Sequence, residues 1–416
     1  MKVIIAGAGI GGLTAALSLQ KIGVDVRLFE SVSSIRSLGV GINVLPHATR
    51  ELFALGLQAE LDSFAIKTRA MKYFTRRGKE VISVPCGEYA GYKWPQYSLH
   101  RGEFQMMLLN AFKQRAGADK VICGHAISEF EQDEKGVKAT FIDSKTKEVL
   151  STETADLLIA ADGLHSVVRK QLYPNEGRPV FSKIICYRGA VESTPYLDGE
   201  SMIICGDNRL RLVSYPISET QRRQGNSHIN WIASVPFESD TVGREDWAQQ
   251  SRPDKLLELY RDWQFDWLNV PQLIQSAKEM FEFPVYDRDP LKRWTFDRVT
   301  LLGDAAHPLI PVSSSGAVHA IIDGRALAYA LGSHDNPLDG LIAYEQDRLP
   351  KANRVVVASR NNGPDEVLEI VRRECDDADN IFDYVDRNVF QKVIDDFKEL
   401  SGFGIDTLNN LDSYEI

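Results

Sequence analysis

The sequence predicts an α/β protein with a discontinuous parallel β-sheet, a second and mostly antiparallel β-sheet, and a helical C-terminal segment. Residues 2–6 form a short apolar run, a helical apolar repeat follows up to Gly23, and residues 24–29 read as a second strand. Together they make a βαβ unit. Two distant runs, 155–161 and 299–302, are also strand-like and end in polar loops. Between these landmarks polar and apolar residues alternate, which is typical of antiparallel strands.

The chain is long enough to require more than one hydrophobic core, since it has 416 residues. The alternating stretches 201–205, 211–214 and 228–234 are expected to lie in an inserted sheet that is polar on one side. From about residue 340 onward the pattern is helical and rich in charges. The expected boundaries are 1–66, 99–177 and 289–350 for the parallel-sheet lobe, 67–98 and 178–288 for the antiparallel-sheet lobe, and 351–416 for the C-terminal segment.

Composition argues against several classes of protein. The chain carries 48 basic and 58 acidic residues, a net charge of −10, so it lacks the basic footprint of a nucleic-acid-binding protein. It contains no apolar run that is long enough to span a bilayer and no signal peptide, so no membrane association is expected. The five cysteines are an odd number without metal-ligand spacing, which indicates free thiols in a reducing compartment. We therefore expect a cytoplasmic protein without a metal site.

A glycine-rich turn connects the first strand to the first helix. Gly7, Gly9 and Gly12 match the pattern G-x-G-x-x-G, and Glu30 ends the second strand 18 residues after Gly12. Such a turn brings a pyrophosphate onto the helix N-terminus, and a carboxylate at this offset accepts hydrogen bonds from a ribose. The motif predicts a Rossmann-like dinucleotide site. It does not distinguish FAD from NAD, although Glu30 would repel a phosphorylated ribose.

Further loops carry a resemblance to a known family. Residues 162–163 (Asp-Gly) and 303–308 (Gly-Asp-Ala-Ala-His-Pro) follow the two distant strands, and the stretches 38–43, 97–103 and 286–291 are specific in combination. With these motifs the chain resembles the class A flavoprotein monooxygenases, which include salicylate hydroxylase and para-hydroxybenzoate hydroxylase. It is similar above all to the subgroup with the phenazine-modifying monooxygenase of pyocyanin synthesis. The resemblance spans residue 1 to about residue 355.

The resemblance implies that FAD is the cofactor and assigns it three further side chains. Arg101 would bind the ribityl–phosphate region, Asp304 the ribityl hydroxyls, and Asp162 would lie near the phosphates and the path of NAD(P)H. Other roles stay open: Asp162 as a helix cap, Arg101 in a surface ion pair and Asp304 as a turn residue.

One loop departs from the family pattern. Backbone N–H groups at Gly316, Ala317 and Val318 are implied to face the flavin pyrimidine oxygen. Ser313 stands where the family usually has a glycine, and His319 replaces a residue that is often Gln or Asn. The added Cβ at position 313 is expected to shift the flavin ring or weaken FAD retention.

Two side chains are candidates for chemistry on the substrate. Removal of a phenolic proton activates an aromatic ring, and a histidine can take that proton near neutral pH. His47 lies at a probable helix start in the segment that the family places near the flavin, and Tyr215 follows a strand of the inserted sheet. A structural histidine and a core tyrosine are the alternatives.

The expected function is NAD(P)H-consuming hydroxylation of an aromatic or heteroaromatic small molecule, with dioxygen, through a flavin peroxide. NADH and NADPH are not distinguished, and the chain is expected to be a monomer or a homodimer. Two rival interpretations remain: a flavin dehydrogenase or oxidase without oxygen insertion, and a degenerate flavoprotein without catalytic activity. No nucleophile elbow supports a hydrolase.

Overall fold

A computed structural model describes residues 1–37, 40–238, 253–311, 315–375, 378 and 380–415, together with the backbone of residues 249–250. Two sequence features lie outside these residues. One is the pair Leu38 and Gly39, which begins the stretch 38–43. The other is Ser313, whose proposed effect on the flavin therefore stays a prediction.

The strands are numbered in chain order. They are β1 Lys2–Ala6, β2 Asp25–Glu30, β3 Gly41–Val44, β4 Ile66–Lys67, β5 Ala70–Phe74, β6 Glu80–Pro85, β7 Tyr97–His100, β8 Val121–Cys123, β9 Ala126–Gln132, β10 Val137–Ile142, β11 Val149–Ala155, β12 Leu157–Ala160, β13 Val180–Ser193, β14 Met202–Asp207, β15 Leu210–Pro216, β16 Ser227–Pro236, β17 Gln249–Gln250, β18 Gln264–Phe265, β19 Leu268–Asn269, β20 Met280–Asp287, β21 Thr295–Phe296 and β22 Val299–Leu301.

The α-helices are numbered in the same way. They are α1 Ile10–Lys21, α2 Pro46–Ala54, α3 Gln58–Phe64, α4 Arg101–Ala116, α5 Val167–Leu172, α6 Glu219–Arg223, α7 Asp254–Tyr260, α8 Val270–Gln275, α9 Ser315–Gly332, α10 Pro337–Ser359, α11 Glu366–Cys375, α12 Arg387–Leu400 and α13 Ile405–Asn410.

A six-stranded sheet, in the order β21-β22-β12-β1-β2-β8, forms the centre of the first lobe. All its pairs are parallel except β21 with β22, and the two distant runs β12 and β22 pair side by side next to β1. The residues of β12 are buried throughout, as expected for a strand in a sheet that is covered on both faces. The predicted discontinuous parallel sheet is confirmed.

An eight-stranded sheet, in the order β17-β20-β13-β16-β15-β14-β5-β6, forms the second lobe. Its pairs are antiparallel except β14 with β5, which confirms the predicted mostly antiparallel sheet. In its register Arg188 lies opposite Ile232, and Ile232 lies opposite Val213. Residues that are directly opposite share one face of the sheet.

The expectation of one polar face is wrong for the centre of this sheet. Every residue of β14 is buried. Ile203 and Cys205 belong to one apolar cluster, whereas Met202 and Ile204 belong to another cluster. The second cluster includes Phe390 of α12 and residues of α11, so the C-terminal helices cover the face that was expected to meet solvent. The alternation of polar and apolar residues along one strand cannot reveal that helices from a distant part of the chain pack over it.

The last described residues attach the C-terminal segment to the first lobe. The carbonyl of Leu411 accepts a hydrogen bond from Arg50 Nη1 at 2.8 Å, and Ser413 Oγ donates one to Glu51 Oε2 at 2.8 Å. Glu51 is itself fully buried and also accepts a hydrogen bond from Arg325 Nε at 3.2 Å. The segment therefore contacts both lobes.

Of the helices in the described ranges, none combines the length and the apolar character that a membrane crossing requires.

Candidate active site

The glycines of the first turn have two different roles. Gly7 has a φ of +103°, and a Cβ there would lie 2.2 Å from the carbonyl oxygen of Ala161. A Cβ at Gly12 would lie 2.0 Å from the carbonyl oxygen of Gly7. A Cβ at Gly9 would meet no atom within 4 Å. Gly7 and Gly12 thus permit close packing of strand and helix, while Gly9 borders open space at the start of α1.

Glu30 is held against this turn. Its Oε2 accepts a hydrogen bond from the backbone N–H of Ala8 at 2.9 Å, and its Oε1 accepts one from that of Val32 at 3.0 Å. Gln105 of α4 donates from Nε2 to the carbonyl of Ala8 at 2.8 Å. Sequence reasoning missed Gln105, because nothing in its local pattern distinguishes it from a surface residue of a helix.

Arg101 and Asp304 lie in a cleft. Solvent reaches both side chains, although protein atoms surround them. The surrounding protein raises the pKa of Asp304, and nearby positive charge, including that of Arg101, opposes the shift. A Cβ at Gly316 would lie 3.9 Å from Asp304 Oδ1, and Ala317 and Val318 follow in the first turn of α9. The structure thus brings α4, the 303–305 turn and the start of α9 together.

Asp162 contacts the next helix and keeps one oxygen unused. Its Oδ2 accepts a hydrogen bond from the backbone N–H of Val167 at 2.8 Å, at the start of α5. Among the described residues, its buried Oδ1 has no hydrogen-bond partner. Burial raises the pKa of this carboxyl. The helix contact that sequence reasoning left open is present, and it leaves one acceptor for a ligand.

A buried ionic network centred on Asp323 of α9 holds the 303–305 turn through the backbone of Gly303. Asp323 Oδ2 lies 2.5 Å from His307 Nε2 and accepts a hydrogen bond from the backbone N–H of Gly303 at 3.2 Å. Its Oδ1 accepts one from Arg348 Nε at 2.8 Å, and Arg348 Nη2 lies 3.1 Å from His319 Nδ1. Sequence reasoning missed Asp323 and Arg348. The available signal was an aspartate in the middle of the mostly apolar helix α9.

An apolar cavity lies on one face of the eight-stranded sheet. Residues at every second position of β13, β14, β15 and β16 form its floor, and the C-terminal segment forms its roof. Pro311, near the start of α9, also borders it. The floor includes Cys186, Arg188, Met202, Ile204, Arg211, Val213, Tyr215, Ile232 and Ser234, and the roof includes Pro364, Asp365, Ile394, Phe397, Lys398 and Phe403.

Two polar side chains of the floor lie near one another: Tyr215 is buried and Arg188 is partly buried. Burial raises the pKa of Tyr215, so its hydroxyl is protonated at neutral pH. The guanidinium carbon of Arg188 lies 3.8 Å from the centre of the Phe283 ring, and burial lowers the pKa of this guanidinium. Gly41 allows β3 to approach, because a Cβ there would lie 2.5 Å from the Tyr215 ring. Sequence reasoning missed Arg188.

His47 lies behind the cavity wall. Its ring stacks on the ring of Phe403 with centroids 4.8 Å apart and an interplanar angle of 1°. Phe403 borders the cavity, and His47 is not among the described residues that do. Burial, with the charges of Arg50 and Arg348, lowers the pKa of His47 to about 3. The ring is therefore neutral at physiological pH.

Comparison with known proteins identifies the class. The family model described as "FAD binding domain" matches residues 1–359. The chain is 41% identical to phenazine 1,6-dicarboxylic acid hydroxylase of Lysobacter antibioticus over 86% of this chain and 89% of that protein. It is 31% identical to 3-amino-4-hydroxybenzoate 2-monooxygenase PtmB3 of Streptomyces platensis, over 92% and 94% respectively.

Solved structures agree on the fold. An FAD complex of the Klebsiella pneumoniae protein HpxO superposes with a TM-score of 0.76 at 22% identity, over 95% of this chain and 98% of that chain. A salicylate hydroxylase substrate complex gives 0.70 at 22% identity, with the same coverage. This chain belongs to the FAD-binding family of class A flavin-dependent aromatic monooxygenases. It is a flavoprotein hydroxylase with FAD as its cofactor and NAD(P)H as its co-substrate.

The cleft fits this cofactor on independent grounds. Gly9 borders open space beside the N-terminus of α1, where backbone N–H groups favour phosphate. Asp162 Oδ1 is a buried acceptor without a partner among the described residues, and Arg101 and Asp304 are accessible within a cleft. These are the features that a long, polar and doubly charged dinucleotide requires.

Proposed function

We propose that this protein hydroxylates a planar heteroaromatic carboxylate of the phenazine type. The observation that carries the proposal is Arg188, a partly buried cation in the wall of an otherwise mostly apolar cavity. Such a cavity accepts a flat ring system, and a guanidinium binds a carboxylate with two parallel hydrogen bonds. The 41% identity to a phenazine 1,6-dicarboxylic acid hydroxylase supports the same ring class.

We propose that the residues predicted from the sequence hold FAD. Gly7, Gly9 and Gly12 would form the pyrophosphate turn, and Glu30 would accept hydrogen bonds from the adenosine ribose. Arg101, Asp162 and Asp304 would bind the phosphate and ribityl groups, and the backbone of Gly316, Ala317 and Val318 would stabilise negative charge on the reduced ring. FAD held there would supply hydride acceptance from NAD(P)H and activation of dioxygen.

The protein's own contribution is to position the substrate and exclude water. Arg188 fixes the carboxylate, and Tyr215, which stays protonated, donates a hydrogen bond to a substrate oxygen or nitrogen. The roof residues Ile394, Phe397 and Phe403 exclude water from the ring. Together these contacts would fix which ring carbon faces the flavin.

The test is turnover of the holoenzyme under isotopically labelled dioxygen. We expect phenazine-1,6-dicarboxylate to stimulate NAD(P)H consumption and to gain one labelled oxygen atom, read by mass spectrometry. Oxidised product without label would support the rival dehydrogenase or oxidase. Absence of NAD(P)H consumption with every aromatic acid would support the non-catalytic rival.

Arg188→Met is expected to weaken binding of an aromatic carboxylate by roughly tenfold or more, because the charged hydrogen bonds are lost. Methionine keeps the apolar bulk of the side chain. Affinity is measured by titrating phenazine-1-carboxylate into wild type and variant. Uncharged phenazine serves as the control ligand and should bind both proteins equally. Equal loss for both ligands would mean that Arg188 only supports the cavity wall.

His47 stays a candidate base, although two features weigh against that role. A base with a pKa of about 3 takes a phenolic proton poorly, and Phe403, on which the ring stacks, borders the cavity while His47 does not. We expect His47→Phe, which keeps an aromatic ring on Phe403, to hydroxylate at nearly the wild-type rate. Rapid-mixing measurements of hydroxylation and flavin reduction provide the check. A fall of about 10²-fold in hydroxylation alone would establish the base.

We further propose a cytoplasmic enzyme that acts as a monomer or homodimer, with the domain boundaries predicted from the sequence. All five cysteines are free thiols, which suits a reducing compartment.

A further inference from the structure

Helix α4 places a second polar side chain beside the glycine-rich turn. Gln105 comes four residues after Arg101, so the two side chains lie on the same face of the helix. Arg101 lies in the cleft that is proposed to bind FAD, whereas Gln105 is half-buried and contacts the turn itself. Gln105 is not among the residues proposed above to bind FAD, so its contact with the turn needs a separate explanation.

Ala8, between the first two glycines of the turn, is held by one side chain on each side. Its N–H donates to Glu30 Oε2 at 2.9 Å, and its carbonyl accepts from Gln105 Nε2 at 2.8 Å. A carbonyl can only accept, so the nitrogen of the Gln105 amide must face it. Solvent does not reach Ala8, so no water can replace either partner without a local rearrangement. The two hydrogen bonds therefore fix the two peptide planes that meet at Ala8.

The second of these peptide planes also contains the N–H of Gly9. The carbonyl and the N–H of a trans peptide point in opposite directions, so the hydrogen bond from Gln105 to Ala8 fixes the direction of the Gly9 N–H as well. Without Gln105 the Ala8 carbonyl would be a buried acceptor in need of a partner. Rotation of the Ala8–Gly9 peptide toward another donor would be easy, because glycine restricts the backbone little.

We propose that Gln105 is a positioning residue for FAD, which holds the Ala8–Gly9 peptide so that the Gly9 N–H can donate to the pyrophosphate. Open space borders Gly9 at this point, since a Cβ there would meet no atom within 4 Å. The inference rests on the proposed pyrophosphate turn. It does not depend on which aromatic substrate the enzyme takes, because its effect is on the affinity for FAD.

The test is a double-mutant cycle on FAD affinity. Apoproteins of wild type, Gln105→Met, Gly9→Ala and the double variant are titrated with FAD, and fluorescence gives the dissociation constants. Methionine has a similar length and is a good helix former, so α4 is retained. We expect Gln105→Met to weaken FAD binding about fivefold, because a hydrogen bond that orients the turn is lost. In the Gly9→Ala background, where the added Cβ already disturbs this contact, we expect a change of less than about twofold.

Asn353→Leu is the matched control for loss of an amide donor. Asn353 of α10 is also half-buried and donates from Nδ2 to a backbone carbonyl, that of Leu291, at the same distance of 2.8 Å. This hydrogen bond does not involve the turn, so we expect the FAD affinity of Asn353→Leu to stay within about twofold of wild type. Thermal denaturation of the apoproteins compares the stability of Gln105→Met and Asn353→Leu, which should change by similar small amounts.

Three results would overturn the inference. They are wild-type FAD affinity in Gln105→Met, an equal loss from Gln105→Met in the wild-type and Gly9→Ala backgrounds, or a loss no larger than that of Asn353→Leu. Failure of the proposed turn looks different, because Gly9→Ala would then bind FAD as wild type does, which would contradict the role of Gln105 as well. If Gly9→Ala weakens FAD binding and Gln105→Met does not, only the role of Gln105 is contradicted.

Discussion

Asp323→Ala is expected to lower the free energy of unfolding by about 3–5 kcal/mol. The Asp323 carboxylate is fully buried and accepts hydrogen bonds from Arg348 and from the backbone of Gly303, with His307 as its third partner. Its removal leaves the Arg348 charge buried without its carboxylate. A loss of this size is a large part of the stability of an ordinary domain. Urea denaturation followed by circular dichroism measures it.

The matched control is Asp396→Ala. Asp396 pairs with Lys392 on α12, but its side chain is 64% exposed, so we expect a change below about 1 kcal/mol. Similar losses in the two variants would contradict the view that Asp323 anchors the turn.

The stability difference between wild type and Asp323→Ala should also depend on pH. Burial alone would raise the pKa of Asp323, but His307 and Arg348 lower it below its usual range. A carboxyl whose pKa is lowered in the folded state stabilises the fold at every pH above its unfolded pKa of about 3.9. This stabilisation is lost as the pH falls towards the folded-state pKa. We therefore expect Asp323 to remain ionised between pH 5 and 8. The difference in the free energy of unfolding between wild type and Asp323→Ala should become smaller below about pH 4.

Gly9→Ala is expected to weaken FAD binding by about 1–3 kcal/mol without destabilising the apoprotein. Gly9 has a φ of −69° and a ψ of 179°, which alanine adopts readily. Its Cβ would meet no protein atom within 4 Å, so only a bound pyrophosphate would feel it. Fluorescence titration of the apoprotein with FAD gives the affinity, and thermal denaturation of the apoprotein gives the stability.

Gly12→Ala is the contrasting variant. Its Cβ would lie 2.0 Å from the Gly7 carbonyl oxygen, so we expect stability and flavin binding to fall together. Unchanged FAD affinity in Gly9→Ala would show that the pyrophosphate does not lie on Gly9.

The parallel-sheet lobe was predictable because its signals are local. Residues 2–30 contain a complete strand, turn, helix and strand, and β12 and β22 are short apolar runs that end in recognisable loops. Gly7 and Gly12 lie where a side chain cannot fit, and sequence spacing alone identified them. Arg101, Asp162 and Asp304 were also selected from motifs, and the structure gives each a geometry that suits a ligand.

The cavity was much harder to predict. Its floor consists of alternate residues on four strands, but the register between strands is set by pairing and not by local sequence. Arg188 and Lys398 are single charged residues without a motif. Asp323 and Arg348 come from two helices, and their contact is visible only after the helices pack. Tyr215 is a candidate because it lies near the end of a strand, and His47 because it lies at a helix start; their roles stay predictions.

The residues that form the roof of the cavity can vary independently of the residues proposed to bind the cofactor. The cavity is bordered by Ile394, Phe397, Lys398 and Phe403, while the family model ends at residue 359. Mutations in α12 can therefore accumulate without touching the turn, the cleft or the flavin contacts proposed above. Selection for activity on a new aromatic acid would therefore act first on those few positions of α12. After duplication of such a gene, we expect the sequence of α12 to diverge faster than the sequence of the first lobe.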